Sequence, residues 1–412
     1  METSDVIILG GGLIGLTLAL ALDRHGISTQ VIDTADLKAA LSPAFDGRVS
    51  AIASASMKML DAIGLGGPLK ADGCPINRIR VTEGLLPVAL DFDAAEGADG
   101  ESDGDPLGHM VENRMLRGAL LEGAEKAPHM TLHAPARAAA IERDGFRVQV
   151  TLADGRLLSA PLLIVAEGRN SPTREAAGIK VARWKYDHNA IVTVIDHERS
   201  HENTAFEIFY QTGPFAILPV NGPANDGTRS AIVWSVPASL AKAVTDLPAR
   251  ALVAEIEKRM GGMLGAVRLA APAWTYPLGF HHAAQLTSQR LVLVGDAAHG
   301  IHPIAGQGLN LGFRDVAALT EVLVEGARLG LDLGDPQLLN RYQRWRGLDT
   351  MMVAGTTDVL TRLFGLPGKP MRTIRALGLA ALERIAPLKA RFMAEARGEA
   401  GDMPKLLRGE LV

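Results

Sequence analysis

Hydrophobic and polar positions along this 412-residue chain fall into three regimes. The first is a set of short, wholly apolar runs at 6–9, 162–166 and 291–294. Each is followed at once by glycine or by a carboxylate–glycine pair. Runs of this length without alternation predict strands buried on both faces of a parallel sheet. Residues 29–32 predict a further strand, ended by Asp33. Between these runs, helical patterns are expected over 16–25, stopped by Gly26, over 54–63, stopped by Gly64, and from about 111 to 126. Another is expected from about 309 to 329, with Val316, Leu319 and Leu323 on one face and Gly330 as its stop. Strands alternating with helices point to an α/β fold.

The second regime is strand-like. It covers 131–141, 147–152 and 156–159, with a turn at Asp154-Gly155, and strands within 75–108 around a charged, glycine-rich tip at 96–105. Residues 180–286 hold much of the aromatic content, Phe215 included, and predict a sheet with one helix at 247–260. After Pro336 the pattern turns helical, at 337–352, 356–364, 371–385 and 388–397. The last two helices are amphipathic and basic. They are expected either to cap the core or to present Arg372, Arg375, Arg384, Lys389, Arg391 and Arg397 to anionic lipid or a partner subunit.

Composition narrows the class. Hydrophobic content of 47% and a net charge of -4 suit a soluble two-domain protein and argue against bulk nucleic-acid binding. The single cysteine, Cys74, permits no disulfide within the chain and suits a reducing compartment. The acidic start lacks the basic region of a signal peptide. Residues 6–22 are uncharged, but they are short for a membrane span and carry four glycines. The histidines lack metal-ligand spacing, so no metal is expected.

The glycines have their own explanation. Strand, Gly10-x-Gly12-x-x-Gly15, helix, strand and Asp33 form the dinucleotide fingerprint in its required context. Gly10 permits the tight turn, Gly12 lets backbone meet a pyrophosphate, Leu13 and Ile14 lead into the helix, and Gly15 lets helix and strand pack. Asp33 is placed for ribose hydroxyls. Arg114, at a helix start, could reach a phosphate, and Arg48 reads equally as a ligand contact or a solvated arginine. Asp296 stands at a strand's carboxyl edge, ahead of a turn with Pro303, Gly306 and Gly308 that delivers a helix N-terminus, a site for an electron-rich ligand. His299 and His302 in this turn are expected to bond backbone rather than transfer protons.

Three motifs taken together, the fingerprint, Glu167-Gly168 with Arg174, and Gly295-Asp296 running to Asn310, resemble the class A flavoprotein aromatic hydroxylases of the para-hydroxybenzoate hydroxylase fold. Residues 302–315, Asp46-x-Arg48 with Ser54 and Ser56, and the tail at 392–409 are similar to the ubiquinone-biosynthesis hydroxylases in particular. Two departures stand out: Glu167 where an aspartate is usual, and Asp33 where a glutamate is usual.

The resemblance implies a Rossmann-type FAD-binding domain from 1–74, 109–179 and 287–335. It implies an inserted β-rich substrate domain from 75–108 and 180–286, and a helical C-terminal region over 336–412. FAD would lie on Gly10 to Gly15, with Asp33 on the ribose and Arg48, Arg114 and Glu167 as further contacts. Asp296 would meet the ribityl chain, and Gly306, Gln307, Gly308, Leu309 and Asn310 the isoalloxazine. Arg48, Phe215, Pro303 and Ala305 are the expected substrate face. The implied reaction is hydroxylation of a polyprenylated phenol with molecular oxygen through a flavin C4a-hydroperoxide, reduced by NAD(P)H or a separate electron donor. The same resemblance implies a cytoplasmic enzyme, peripheral on the inner membrane, with subunits of a ubiquinone-biosynthesis complex or further copies of itself as partners. A hydroxylase of a small aromatic acid and a non-catalytic flavin-binding subunit are the alternatives.

Overall fold

The computed structural model describes residues 1–41, 48–96, 104–300, 307–347 and 383–412. The apolar runs are the centre of a six-stranded sheet. Leu291–Leu293, Leu162–Val165, Val6–Leu9, Thr29–Ile32 and Met130–His133 pair in parallel in that order, and Thr287–Ser288 adds antiparallel at one edge. Val6, Ile7, Ile8, Leu162, Leu163 and Ile164 have no exposed surface. Each such side chain contributes roughly 1.5–3 kcal/mol on burial. Helix Leu13–Asp23 is buried continuously from Gly15 to Leu22, because it is wedged between helices Asn113–Lys126 and Gln307–Arg328 beside the sheet. That is why its sequence is apolar all round.

A nine-stranded sheet forms the second layer. Its order is His299–Gly300, Trp274–Ala283, Val181–His197, Arg229–Pro237, Gly213–Pro219, Thr204–Tyr210, Arg78–Glu83 and Ala89–Asp93, with Val267–Leu269 against Val181–His197. One face of this sheet packs Ile191, Ile208, Phe215, Ile217 and Trp234 against Leu252, Ile256 and Met260 of helix Ala249–Met260. The alternate positions face the other way, as strand geometry requires. A three-stranded sheet of Val49–Ala53, Gly108–Glu112 and Cys74–Ile76 joins the two layers in sequence. A four-stranded sheet, Glu2–Thr3, Leu157–Ala160, Val148–Leu152 and Ala138–Arg143, flanks the parallel one.

Several expectations needed correction. The strand expected at 131–141 is two strands in two sheets, Met130–His133 and Ala138–Arg143, broken where Pro135 withdraws its backbone N–H from any ladder. The single helix expected at 247–260 is preceded by another, Ala238–Thr245, and Pro248 separates the two. The helix Gln307–Arg328 begins two residues earlier than expected, and Gly330 takes a positive φ of 70° beyond its end. The helix expected at 356–364 and most of the one at 371–385 lie outside the described residues, as does most of the acidic tip.

The final described helix, Ala386–Arg397, turns part of its charge inward. Lys389 pairs with Glu96 at 2.8 Å and Glu383 at 2.7 Å, and buried Arg397 donates to the Ala94 carbonyl at 3.2 Å. Arg384 and Arg391 stay exposed beside Ile385 and Leu388. Among the described residues no helix is long and apolar enough to cross a membrane, and no cluster of three metal-ligating side chains occurs.

Candidate active site

The glycine turn is built by close approach. Gly10 has φ +104°, and a Cβ there would meet the Ala166 carbonyl oxygen at 2.4 Å. A Cβ on Gly15 would lie 1.9 Å from the Gly10 carbonyl oxygen, so the helix can meet the strand only without one. Gly12 is different. It is the N-cap of helix Leu13–Asp23, no side chain caps that end, and a Cβ on it would meet nothing within 4 Å. Open space at an uncapped helix N-terminus fits a pyrophosphate. Asp33 folds back over this turn: Oδ2 accepts the Gly11 N–H at 2.6 Å and Oδ1 the Ala35 N–H at 2.7 Å. Ile14 is a packing residue beneath Gly295 and Gly312, joining the first motif to the last.

The last motif is held from below. After Leu291–Leu293 the chain makes a tight turn, Gly295–Ala297, with Gly295 at φ +58°. Asp315, on the following helix, is fully buried. It accepts the Gly295 N–H at 2.9 Å, meets His299 Nε2 at 2.7 Å and pairs with Arg346 Nε at 2.7 Å. Burial opposes its ionisation, but the charges and hydrogen bonds of His299 and Arg346 prevail and hold its carboxyl below the ordinary value. His299 therefore bonds a carboxylate, not backbone as expected; His302 lies outside the described residues. His281 Nε2, 2.8 Å from the Asp296 carbonyl, donates to it from the neighbouring sheet, and burial holds this imidazole below its usual range. The Asp296 carboxylate itself stays half exposed, 3.9 Å from Arg169.

The middle motif serves the same turn. Buried Arg174 donates to the Ala297 carbonyl at 2.9 Å and the Arg169 carbonyl at 3.1 Å. Glu167 was expected at the cofactor. Instead its carboxylate clasps its own loop, accepting from the Ser171 hydroxyl at 2.6 Å and the Thr173 hydroxyl at 3.0 Å. Arg169, not Glu167, reaches the cavity described below.

Asn310 also has a role different from the expected one. Its side chain accepts the Ala53 N–H at 2.9 Å and donates to the Ala51 carbonyl at 2.8 Å, completing the edge of strand Val49–Ala53. Arg114 bonds Glu112 at 3.2 Å, and its neighbour Asn113 lines the cavity. Phe215, expected at the substrate face, is wholly buried on the opposite face of its sheet, edge-on to Trp234. Ala216, one residue on, takes the cavity side. Pro303, Ala305 and Gly306 lie outside the described residues, as does the side chain of Gln307.

These elements enclose a cavity of about 680 Å³ between the parallel sheet's carboxyl edge and the large sheet. Leu13, Arg48, Arg169, Asp296, Gly308 and Leu309 line it from the motif side. A Cβ on Gly308 would meet nothing within 4 Å, so the start of the 22-residue helix opens onto this space. Arg48 sits over the Tyr276 ring, 5.9 Å from its centroid. Ala190, Val192, Ala216, Leu218 and Val233 make the sheet wall apolar, and Glu207 stands among them. Burial pushes the Glu207 carboxyl up to about 7. Sequence reasoning missed Glu207 and Asp315. The signal existed: each is a carboxylate on the inward stripe of its element, Asp315 four residues before Leu319, Glu207 between inward Ala205 and Phe209.

The FAD binding domain family matches residues 3–354. Ubiquinone hydroxylase UbiL of Rhodospirillum rubrum is 45% identical over 411 residues, covering 99% of this chain and 93% of that protein. The 3-demethoxyubiquinol 3-hydroxylase of Escherichia coli is 35% identical, covering 96% and 99%. Among solved structures, p-nitrophenol 4-monooxygenase of Pseudomonas putida aligns with a TM-score of 0.79 over 98% of this chain and 100% of that one, at 17% identity, which is a likeness of fold.

Proposed function

This chain belongs to the FAD-dependent ubiquinone-biosynthesis hydroxylases, and from that membership we propose that it hydroxylates the ring of a polyprenylated phenol in the cavity between its two main sheets. The single observation that carries the placement is that cavity, with a helix N-terminus on one side and an apolar sheet wall on the other. In this reading 1–74, 109–179 and 287–335 are the FAD-binding unit, 75–108 and 180–286 roof the substrate, and 336–412 form the helical C-terminal region.

Gly10, Gly12 and Gly15 hold the pyrophosphate at the start of helix Leu13–Asp23, and Asp33 meets the ribose from the glycine turn. Asp296 takes the ribityl hydroxyls. Backbone N–H groups at Gly308 and Leu309 would face a bound flavin ring and favour negative charge there, by about 1 kcal/mol or more when shielded from water. Bound flavin supplies the activation of molecular oxygen. The protein supplies position, electrostatic field and exclusion of water. The apolar wall would exclude water from the substrate ring.

A small aromatic acid is the second reading, because Arg48 and Arg169 line the same cavity and suit a carboxylate. The reductant is NAD(P)H binding transiently, or a separate donor, since the sequence has no second G-x-G-x-x-G. Exposed Ile385 and Leu388 beside Arg384 and Arg391 suit peripheral contact with anionic lipid at the inner membrane. The deciding experiment combines two measurements. A deletion strain should accumulate a quinone precursor lacking one ring oxygen, and the purified FAD protein should hydroxylate that precursor. A deletion strain with unaltered quinone intermediates would defeat the assignment.

A further inference from the structure

Glu207 is the one carboxyl on the sheet wall of the cavity among the described residues. It belongs to a row set by strand register: Val81, Glu207, Ala216, Val233 and Val192 lie side by side across the sheet. Ala216, Val233 and Val192 line the cavity with it. Next along the same face come Pro214, Leu218 and Ala190, which are apolar, and Ser235, which is polar but uncharged. A structural carboxylate in such a row would be expected to hold a neighbour by an ion pair, as Arg80 and Asp91 do two strands' edge away at 2.7 Å. Glu207 faces open space instead.

We propose that Glu207 accepts the phenol proton of the substrate while the ring is hydroxylated. The inference rests on the ring-hydroxylation reading above. The ring carbon ortho or para to a phenol oxygen becomes a better nucleophile as the O–H bond breaks. The proton passes to a Glu207 carboxylate oxygen, and the bonding pair stays on the phenol oxygen, from which it is shared into the ring. No electron is gained or lost in this step. Charge moves from carboxylate to phenolate without creating a new ion, which suits an apolar wall.

An ordinary carboxylate is a weak base toward a phenol of pKa about 10. Burial narrows that gap by raising Glu207 to about 7, and a base closer to its donor is more effective. The other charged groups of the cavity wall are Arg48, Arg169 and Asp296, on the motif side, and Tyr276 is its phenol. Glu83, buried, lies two residues along from Val81 on the adjoining strand.

The test uses the FAD-loaded enzyme, a short-chain prenylphenol, and the variants Glu207→Gln and Glu207→Asp. The Gln variant should keep its FAD and lose about 100-fold or more in kcat for ring hydroxylation. It should also lose the limb near pH 7 from its kcat profile, and the Asp variant should restore part of both. Difference infrared spectroscopy gives a readout without turnover. A carboxylic-acid band titrating near pH 7 should be present in the wild type, absent in the Gln variant and shifted by the bound phenol. An unchanged kcat and pH profile, a rise in KM alone, or a band indifferent to phenol would each overturn the proposal. If the wild type binds the phenol at this band yet forms no hydroxylated product, the ring-hydroxylation reading falls, and the proton-transfer role with it.

Discussion

Asp315→Asn removes one charge and little volume from beneath the turn that carries Asp296. In the folded chain the Asp315 carboxylate faces three donors: the Gly295 N–H at 2.9 Å, His299 Nε2 at 2.7 Å and Arg346 Nε at 2.7 Å. Arg346 is 2% exposed, and Asp315 has no exposed surface. The asparagine is neutral, and its amide nitrogen would present hydrogens to donors. Removing one partner of a buried ion pair costs about 3–5 kcal/mol, since the other charge stays desolvated. Domains of this kind have about 5–15 kcal/mol in total.

Urea unfolding at pH 7, followed by tryptophan fluorescence in the same excess of FAD for both proteins, measures the loss. The equal FAD concentration matters because ligand adds its own stability. The variant should lose about 3–5 kcal/mol and bind FAD more weakly, since the turn Gly295–Ala297 loses its anchor to the helix. A double variant, Asp315→Leu with Arg346→Met, removes both charges and should recover the share of the loss due to the unpaired guanidinium, while the Gly295 N–H and His299 stay without their acceptor. The folded carboxyl lies below its ordinary value. Its stabilisation is therefore full above the unfolded carboxylate pKa and fades as pH falls through the folded one. The Asn variant should lack that acid limb. A single variant within about 0.5 kcal/mol of wild type, a change expected of surface positions, would refute the reasoning.

Other substitutions probe the remaining joints. Gly15→Ala drives a Cβ to 1.9 Å from the Gly10 carbonyl oxygen; it should purify without FAD and melt at a lower temperature. Asn310→Ala strands the Ala53 N–H and the Ala51 carbonyl, at about 1–3 kcal/mol for each group left unsatisfied, read by urea unfolding. Asp296→Ala should weaken FAD binding by about 10- to 100-fold in a fluorescence titration, the equivalent of a charged hydrogen bond of about 1.5–3 kcal/mol. Glu207→Gln should stabilise the protein at high pH. The folded carboxyl at about 7 lies above its ordinary 4.5, so wild-type stability falls as pH rises from the lower value through the higher. The variant, spared that loss, should be more stable at pH 8 by up to about 3 kcal/mol, measured by melting against pH.

Much of the fold could be read along the chain because its signals are local. The strands Val6–Leu9, Thr29–Ile32 and Leu162–Val165 are four consecutive residues each, and a run buried on both faces needs no partner to be recognised. The glycine turn is partly local: Gly15 is required by its contact with the Gly10 carbonyl oxygen five residues back, whereas Gly10 is required by the Ala166 carbonyl on a distant strand. The breaks at Pro135 and Pro248 were missed because proline forbids a hydrogen bond without saying which sheet or helix the chain joins next.

The side chains' partners could not be read that way. Asn310 bonds strand residues 257 and 259 positions earlier, and Arg174 bonds a carbonyl 123 positions later. Nothing in the spacing announces such pairs. Glu167 and Asn310 stand where ligand contacts are expected, yet their polar atoms satisfy loop and strand groups, because a buried donor or acceptor takes the partner the fold brings to it. Phe215 and Glu207 show the same limit at one residue's resolution. Alternation separates the two faces of each strand, but only the packing of helix Ala249–Met260 decides which face becomes core and which becomes the wall of the cavity. The sequence by itself determined the sheet, the nucleotide turn and the family. The tertiary structure decided which carboxylates hold the turn from below and which face the cavity, since both depend on contacts between residues far apart in the chain.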